Sequence, residues 1–269
     1  MINQFGFGYL LFHVLLTVPI ILILTYLQSD LGVVRNRRRW LNFVILILIA
    51  YVYTIPWDNF MISLDIWWYG DVVWNRVWHA PVGEYLFFGI QTIIAGLYLY
   101  YIGFNPNPKQ SDLQLSNRVT GFILLIIATI ICLVTALYGP INLRYSTSIL
   151  AWTLPVLAIQ WLVGGNYILR KWKLILTATT PPTVYLWLID GYAIATGMWT
   201  INPETSLGIS VGALPIEEMI FFLSANLMTV FGMILFEWVL EVWKQGDGVF
   251  IQSENDEICR LYHLFENET

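Results

Sequence analysis

Long apolar stretches, separated by short polar segments, run along almost the whole chain. Seven of them are candidate membrane-spanning helices, because a span needs about 20 mainly apolar residues. They cover residues 8–28, 40–57, 81–102, 118–138, 147–166, 172–191 and 211–238. No segment between them is long enough to form a second globular domain. The pattern therefore predicts an all-α membrane protein with seven transmembrane helices.

The composition strengthens this prediction. Of the 269 residues, 58% are hydrophobic and only 12% are charged, with a mean hydropathy of +0.66. Soluble domains carry about 25% charged residues. The formal net charge of −5 argues against nucleic acid as a partner. The two cysteines, Cys132 and Cys259, form neither a disulfide framework nor a metal-ligand spacing, so we expect no metal site.

The distribution of basic residues predicts the orientation in the membrane. With seven spans, eleven Lys and Arg residues fall on one side, and only Arg76 and Arg144 fall on the other. Since cytoplasmic loops carry the excess of basic residues, we expect the N-terminus outside the cell membrane and the C-terminus in the cytoplasm. Tryptophans near the span ends are expected to be mostly interfacial anchors: Trp57, Trp67, Trp68, Trp74 and Trp199 outside, and Trp40, Trp172, Trp238 and Trp243 inside.

Two parts of the chain resemble each other. The segment A-P-V-G-E-Y-L-F-F at 80–88 matches L-P-I-E-E-M-I-F-F at 214–222, and Asp58 recurs as Asp190, 132 residues later. The pattern predicts a first three-helix repeat at 1–102, a linker helix region at 103–146, a second three-helix repeat at 147–241 and a polar cytoplasmic tail at 242–269. A single linker helix restores the chain direction, so we expect two parallel repeats.

Acidic residues occupy matching places in the two repeats. Each repeat has an aspartate near the end of its second helix (Asp58, Asp190) and a glutamate opening its third (Glu84, Glu218). Ionisable groups at membrane depth cost roughly 2.5 kcal/mol or more each and are functional candidates for that reason. All four lie on the predicted outer side, where the repeat axis would gather them around one cavity. Such carboxyl groups suit proton transfer to an apolar substrate, and aromatic faces stabilise a cation.

The duplicated P-x-E-E element before an F-F pair, the upstream aspartates and the seven spans resemble the membrane-bound lycopene cyclases of archaea and some actinobacteria. The resemblance covers about residues 8–238 and implies cofactor-independent conversion of the linear end groups of lycopene to β-ionone rings. The implied partners are lycopene and other carotenoids in the lipid bilayer. Which ring type forms, β, ε or γ, stays open, because sequence does not show which proton the base removes.

The resemblance also assigns candidate residues. The motif acids carry over to Glu217 and Glu218 in the second copy and to Glu84 in the first, where Gly83 replaces the other glutamate. On this hypothesis Glu218 or Glu217 donates the proton, and Asp190 or Glu84 removes one. The full candidate set is Glu218, Glu217, Glu84, Asp190 and Asp58 for catalysis, and Phe87, Phe88, Phe221, Phe222, Asn226 and Gln91 for substrate binding.

Other functions fit the residues less well. A transporter with three helices, a linker and three parallel helices is the main alternative, although here the acids lie near span ends rather than at the midplane. A metal–diphosphate site at Asp58, Asp65 and Asp71 has spacings that do not share a helix face. A seven-helix retinal photoreceptor is excluded, because no lysine occurs between Lys173 and Lys244. His79, five residues before Glu84, is expected to be a cap or interfacial residue rather than a proton relay, and His13 is expected to be a buried interhelical residue.

Overall fold

Apolar helices make up most of the protein. The computed structural model describes residues 8–28, 36–71, 73 and 76–245. Gly8–Phe12 (α1) and Val18–Gln28 (α2) form one helix through a π-helical turn, His13–Thr17. The others are Arg37–Ser63 (α3), Val82–Tyr101 (α4), Leu115–Tyr138 (α5), Arg144–Arg170 (α6), Trp172–Ala195 (α7) and Ile216–Lys244 (α8). The predicted tail beyond residue 245 lies outside the described residues, as do Trp74 and Cys259.

The helices follow the predicted spans closely, with two differences. Six are long and apolar enough to cross a membrane within the described part of the chain, and α7 is less apolar than the rest. The second difference is at α8, which begins at Ile216 rather than at residue 211. Residues before it form a hairpin, and Pro215 holds an extended conformation (φ −63°, ψ 150°) that ends in the helix. The protein is therefore an all-α multi-pass membrane protein with small strand elements at one end.

Those strand elements were not expected from the hydrophobic pattern. Trp67–Tyr69 (β1) pairs antiparallel with Trp199–Ile201 (β4), which joins the loop after α3 to the loop after α7. Arg76–Val77 (β2) pairs with Ala80–Pro81 (β3), and Ser210–Val211 (β5) pairs with Leu214–Pro215 (β6). Each of these hairpins leads directly into a helix whose first turn carries a glutamate, so the hairpins fix where α4 and α8 begin.

Helices α4 and α8 pack against each other in the centre. The rings of Phe87 and Phe222 meet edge to face with centroids 5.8 Å apart, and Gln91 Nε2 lies 3.5 Å from Asn226 Oδ1. Helix α5 lies at the periphery and packs on α6, where Asn166 Nδ2 donates to the carbonyl of Gln114 (2.8 Å). Most other α5 side chains face outward. The predicted linker helix therefore lies at the edge of the bundle and contacts mainly α6.

A buried polar network ties the helices together at the end opposite the hairpins. Glu237 Oε1 accepts a hydrogen bond from Tyr100 Oη (2.5 Å), whose oxygen accepts one from Asn42 Nδ2 (2.9 Å). Arg38 Nη2 donates to the carbonyl of Glu237 (2.6 Å). Interhelical hydrogen bonds of this kind are common in membrane bundles. Trp238 is fully buried beside this network, so its predicted role as an interfacial anchor was wrong.

The glycine pair Gly164 and Gly165, near the C-terminal end of α6, allows close helix packing. Gly164 has non-helical torsions (φ −159°, ψ 40°) at a kink in the helix. A Cβ atom there would lie 2.4 Å from a methyl carbon of Leu235 on α8. The absence of a side chain at Gly164 therefore lets α6 pack closely against α8.

Candidate active site

Four acidic side chains from four helices line one cavity beside the β1–β4 strand pair. They are Asp58 from α3, Glu84 from α4, Asp190 from α7 and Glu218 from α8. Asp58, Asp190 and Glu218 are buried, and Glu84 is half-buried. The cavity volume is about 40 Å³, room for only a few water molecules. The four acids thus surround one cavity, as the repeat pattern predicts.

The cavity contains acids without basic counterparts. Among the described residues that line it, none is lysine, arginine or histidine. Arg76 lies outside, with its Cζ 5.7 Å from the centroid of the Tyr69 ring. Because like charges in a site of low dielectric repel each other strongly, four ionised carboxylates here would be very unfavourable. The arrangement can therefore hold a transferable proton.

Two tyrosines donate hydrogen bonds to Glu84. Tyr9 Oη lies 2.7 Å and Tyr69 Oη lies 3.0 Å from the same oxygen, Oε2. Trp67 Nε1 donates in turn to Tyr69 Oη (3.1 Å). Burial, followed by the nearby charges of Glu84 and Asp58, raises the pKa of Tyr69 well above its usual range. Tyr69 therefore keeps its proton and acts as a donor to the carboxyl group.

One tyrosine donates to Glu218. Tyr145 Oη lies 2.5 Å from Glu218 Oε1. Tyr145 stands in the first turn of α6, and its backbone N–H donates to the carbonyl of Thr205 (3.0 Å). That bond joins the start of α6 to the loop between β4 and β5. The loop therefore helps to place the phenol against the acid.

Each of the two aspartates has an oxygen without a hydrogen-bond partner among the described residues. Asp190 Oδ1 accepts a hydrogen bond from Trp199 Nε1 (3.1 Å). The other oxygen of this residue, Oδ2, and Oδ2 of Asp58 are buried without a hydrogen-bond partner among the described residues. A buried polar atom without a partner is costly. Both oxygens remain available to a proton or to a ligand group.

Glu217 does not line this cavity. Its side chain is buried, and Oε1 accepts a hydrogen bond from the backbone N–H of Leu207 (2.6 Å). It therefore fixes the loop before β5. At the matching position in the first copy, a Cβ on Gly83 would lie 2.6 Å from ring atoms of Tyr9. The tyrosine that donates to Glu84 thus occupies the space that a second glutamate would need.

Aromatic side chains form most of the remaining wall. They include three tryptophans that were expected to be interfacial anchors, Trp57, Trp67 and Trp199, and that prediction was wrong for these three. The strand pair β1–β4 holds Trp67 and Trp199 inward, because alternate residues of a strand face opposite sides. Trp68, which lies between Trp67 and Tyr69 in β1, is 44% exposed. The other wall residues are Tyr9, Phe12, Tyr69, Phe87, Tyr145, Ile189, Ile201, Phe221 and Phe222.

The predicted substrate-binding residues divide between two places. Phe87, Phe221 and Phe222 line the acid cavity. Phe88 and Gln91 instead line a second cavity deeper along the helices. Asn226 is fully buried, and its Nδ2 donates to Thr183 Oγ1 (2.9 Å). The two amides thus join α4, α7 and α8.

The remaining candidates lie outside the cavity. His79 is exposed, and its backbone N–H donates to Asn59 Oδ1 (3.0 Å). His13 is buried and bonds through Nε2 to the carbonyl of Gly83 (2.9 Å), as expected for an interhelical histidine. Asp65 and Asp71 are exposed, whereas Asp58 is buried. The three aspartates therefore do not converge on a metal–diphosphate site.

Sequence reasoning missed the tyrosines that bond to the acids. Tyr9 and Tyr145 are related by nearly the same offset that relates the motif glutamates, and Trp67 and Trp199 are separated by 132 residues. Extending the repeat comparison from charged residues to aromatic ones would have found both pairs. Tyr69 has Ile201 at the matching position and carries no such signal.

Comparison with known proteins gives consistent matches. A family model described as lycopene cyclase matches residues 142–238. The chain is 37% identical over 225 residues to the lycopene beta-cyclase of Halobacterium salinarum, covering 80% of this chain and 92% of that protein. It is 33% identical over 260 residues to the bifunctional lycopene cyclase/phytoene synthase of Podospora anserina, covering 88% of this chain and 41% of that protein. No solved structure matches.

Proposed function

The chain belongs to the lycopene cyclase family, and from this premise we propose that it is a lycopene β-cyclase. The reaction converts each linear end group of lycopene into a β-ionone ring and needs no cofactor. The observation that carries the proposal is the cavity itself, in which four carboxyl groups from both motif copies meet inside an aromatic wall without a basic residue among the described lining. Acid and base groups beside an apolar, electron-rich surface are what a proton-driven cyclisation needs.

The proposed reaction adds one proton and removes another. A carboxylic acid protonates the terminal double bond, which leaves a tertiary cation on the carbon that bears two methyl groups. The electrons of a second double bond attack this cation, close the six-membered ring and move the positive charge to a ring carbon. A carboxylate then removes a proton from the neighbouring ring carbon, which forms the ring double bond. The product is an isomer of the substrate, so no oxidant or reductant is consumed.

We assign the proton donor to Glu218. It is buried in the cavity and receives a single hydrogen bond from a tyrosine, Tyr145. Glu84 receives two such bonds, from Tyr9 and Tyr69. Hydrogen bonds to a carboxylate stabilise its charged form, so Glu84 is suited to accepting a proton. Asp190 remains the second candidate for the base.

The other candidates have supporting roles in this proposal. Asp58 contributes to the shared negative charge that keeps one acid protonated. Phe87, Phe221 and Phe222 present ring faces and edges to the substrate, and a desolvated cation gains up to roughly 2 kcal/mol from an aromatic face. Glu217 holds the loop at Leu207 and through it Tyr145, so we assign it a structural rather than a catalytic role. Asn226 and Gln91 hold α4 against α8, and Phe88 contacts the substrate further from the acids.

A single cavity implies that the two ends of lycopene react in turn. Because acids from both motif copies surround the same space, neither copy has a separate acid cavity in the described part of the chain. The product of the first closure must leave, turn round and bind again. A carotenoid with one ring is therefore expected to appear before the two-ring product during a time course.

The membrane placement is also part of the proposal. We place the protein in the cell membrane. The distribution of basic residues favours an orientation with the N-terminus outside and the C-terminus in the cytoplasm, and this orientation places the acid cavity near the outer surface. The helices α3, α4 and the strand pair after α3 have counterparts in α7, α8 and the strands after α7. This correspondence supports two parallel three-helix repeats with α5 as the linker.

Expression in a lycopene-accumulating bacterial host, with pigment analysis, tests the proposal. The expected result is loss of lycopene and appearance of β-carotene, preceded by the one-ring intermediate. Unchanged lycopene in cells that make the membrane-inserted protein would contradict it. A product with ε- or γ-rings would retain the acid chemistry and correct the position of the base.

A further inference from the structure

A second cavity lies next to the acid cavity, deeper along the helices. Its volume is about 90 Å³, and it is framed by α3 on one side and α6 on the other, with α4 and α8 as its floor. The lining is mainly apolar, and the hydroxyl groups of Thr92 and Thr229 donate to carbonyls of their own helices (2.9 and 3.0 Å). We call this cavity the lateral groove; α3 contributes Leu46, Ile49, Ala50, Tyr53 and Thr54, and α6 contributes Trp152, Val156 and Gln160.

The lateral groove opens toward the lipid. Ile49, which lines it, is 53% exposed, and Tyr53 is 37% exposed. The two helices at its edges are joined near the acid cavity by a hydrogen bond from Tyr53 Oη to the carbonyl of Trp152 (2.7 Å). Further from the acids, the gap between α3 and α6 is lined by Leu46, Ile49 and Val156 and by Gln160, whose Nε2 donates to the carbonyl of Met228 (2.8 Å). An apolar molecule dissolved in the bilayer can reach this space without crossing water.

Stacked aromatic rings separate the groove from the acid cavity. Trp57 stacks on Trp152 with centroids 4.6 Å apart, and Phe221 lies 6.0 Å from Trp57 and 5.7 Å from Trp152. Trp57 lines the acid cavity, Trp152 lines the groove, and Phe221 lines both. The two spaces are therefore neighbours across one layer of side chains, and Phe221 belongs to the walls of both.

The acid cavity is too small for the reacting end group and far too small for the rest of the polyene. At about 40 Å³ it holds only a few water molecules. The remainder of a long hydrocarbon must lie elsewhere while one end reacts. From Thr54 back to Leu46, the groove follows α3 for roughly 12 Å at about 1.5 Å per residue, so it offers a mainly apolar path that ends beside the Trp57–Trp152–Phe221 layer.

We propose that the side chains of α3 and α6 move apart to widen the lateral groove from about 90 Å³ around the part of the polyene chain nearest the reacting end, and that the Trp57–Trp152–Phe221 layer moves to let the end group into the acid cavity. The rest of the chain extends into the lipid. This rests on the proposed function for the identity of the polyene. The occupant is a long hydrocarbon chain from the bilayer, because the groove is mainly apolar, open to lipid and separated from the acid cavity by one layer of side chains. Release of the one-ring product along the same path would let the molecule turn round in the bilayer.

Filling the groove tests this proposal. Ala50→Phe on α3 and Val156→Phe on α6 place bulk in the groove, and Ala50→Leu is a milder version. Val52→Phe and Ile159→Phe are matched controls, since Val52 and Ile159 are 76% and 59% exposed and do not line the groove. With purified protein in lipid nanodiscs, the groove variants are expected to raise the apparent KM for lycopene at least fivefold, and the controls to change it less than about twofold.

Binding is measured separately from turnover by titrating lycopene into Glu218→Gln protein and following quenching of tryptophan fluorescence. Saturable quenching that weakens when Ala50→Phe is added to Glu218→Gln supports the groove. Groove variants that bind and turn over like their controls would overturn it and leave a lipid acyl chain as the occupant. If quenching is saturable and is weakened by Ala50→Phe, but the wild type forms no cyclic product, the proposed function is refuted and binding of the hydrocarbon in the groove is still supported.

Discussion

The glutamates that open α4 and α8 hold matching places in the chain and have different surroundings. Glu84 follows a glycine and receives hydrogen bonds from Tyr9 and Tyr69. Glu218 follows a second glutamate and receives one hydrogen bond, from Tyr145. The difference begins at one position, where Gly83 leaves room for the ring of Tyr9. A duplicated motif has thus acquired two environments within one cavity.

The different surroundings suit one glutamate to giving a proton and the other to accepting one. Two acids in identical surroundings could not divide these tasks. Adding and removing a proton in the same cavity requires groups that hold protons with different strength. More donors around Glu84 favour its charged form, and fewer around Glu218 leave it suited to giving a proton. The neighbouring residue Glu217 lies outside the cavity and serves the loop. The asymmetry around the motif is therefore part of the proposed mechanism.

The largest effect is expected from Glu218→Gln, which keeps the shape of the side chain and removes the transferable proton. Since a positioned general acid contributes about 10²–10⁴-fold, we expect kcat to fall by about 10³. The matched control is Glu241→Gln on the same helix, where Glu241 pairs with Arg38 at 3.2 Å, far from the cavity. The control should keep nearly full activity. Equal losses in the two variants would indicate a general effect on α8.

Glu84→Gln should have the second largest effect, a loss of about 10²-fold in kcat. Asp190 can still accept a proton in this variant, so some turnover remains. The comparison predicts a strict order, with Glu218→Gln the more severe. Steady-state rates measured in the same membranes decide it, and a reversed order would exchange the donor and acceptor roles.

Removing single phenol groups should separate the two environments further. Tyr145→Phe leaves Glu218 without its tyrosine donor, whereas Tyr9→Phe leaves Glu84 with Tyr69. Because hydrogen bonds to charged groups contribute about 1.5–3 kcal/mol, we expect about a tenfold fall in kcat for Tyr145→Phe and a smaller one for Tyr9→Phe. Equal effects in rate assays would show that Tyr69 does not compensate for Tyr9.

The smallest effect on catalysis is expected from Glu217→Gln. The amide oxygen can still accept the bond from the backbone N–H of Leu207, so kcat should stay within about threefold of the wild type. Glu217→Ala removes that acceptor and should lower the stability of the folded protein by about 1–3 kcal/mol, measured by thermal unfolding in detergent. A loss of activity in Glu217→Gln comparable to that of Glu218→Gln would place Glu217 in the chemistry.

The helices and the acid cluster were predictable because their signals repeat along the chain. Each span has a long apolar run, and Asp58, Glu84, Asp190 and Glu218 stand out as ionisable groups near the ends of such runs. The hydrophobic pattern does not encode the short strands β1–β6, since two- and three-residue pairings are too short to show a period. Because the β1–β4 pairing was not predicted, the inward direction of Trp67 and Trp199 was not predicted either, and both were expected to be interfacial residues.

The partners of the acids were less predictable, for a physical reason. Tyr9 and Tyr69 reach Glu84 from segments that are distant in the chain and that meet only after the helices pack. Glu217 and Glu218 are adjacent in sequence, and a helix turns about 100° per residue, so they point to different surroundings. The repeat comparison distinguishes the two only in that Glu217 has no counterpart, and the packed loop at Leu207 shows where its side chain lies.

The most direct test of the account is the isotope content of the product formed in heavy water. Purified protein in nanodiscs converts lycopene in D₂O, and the carotenoid product is analysed by mass spectrometry. If an exchangeable carboxylic acid adds the proton and a ring hydrogen is lost, the product carries one deuterium per ring, two in β-carotene. A cyclic product without deuterium, or one that has lost hydrogen relative to lycopene, would contradict the proposed acid–base cyclisation.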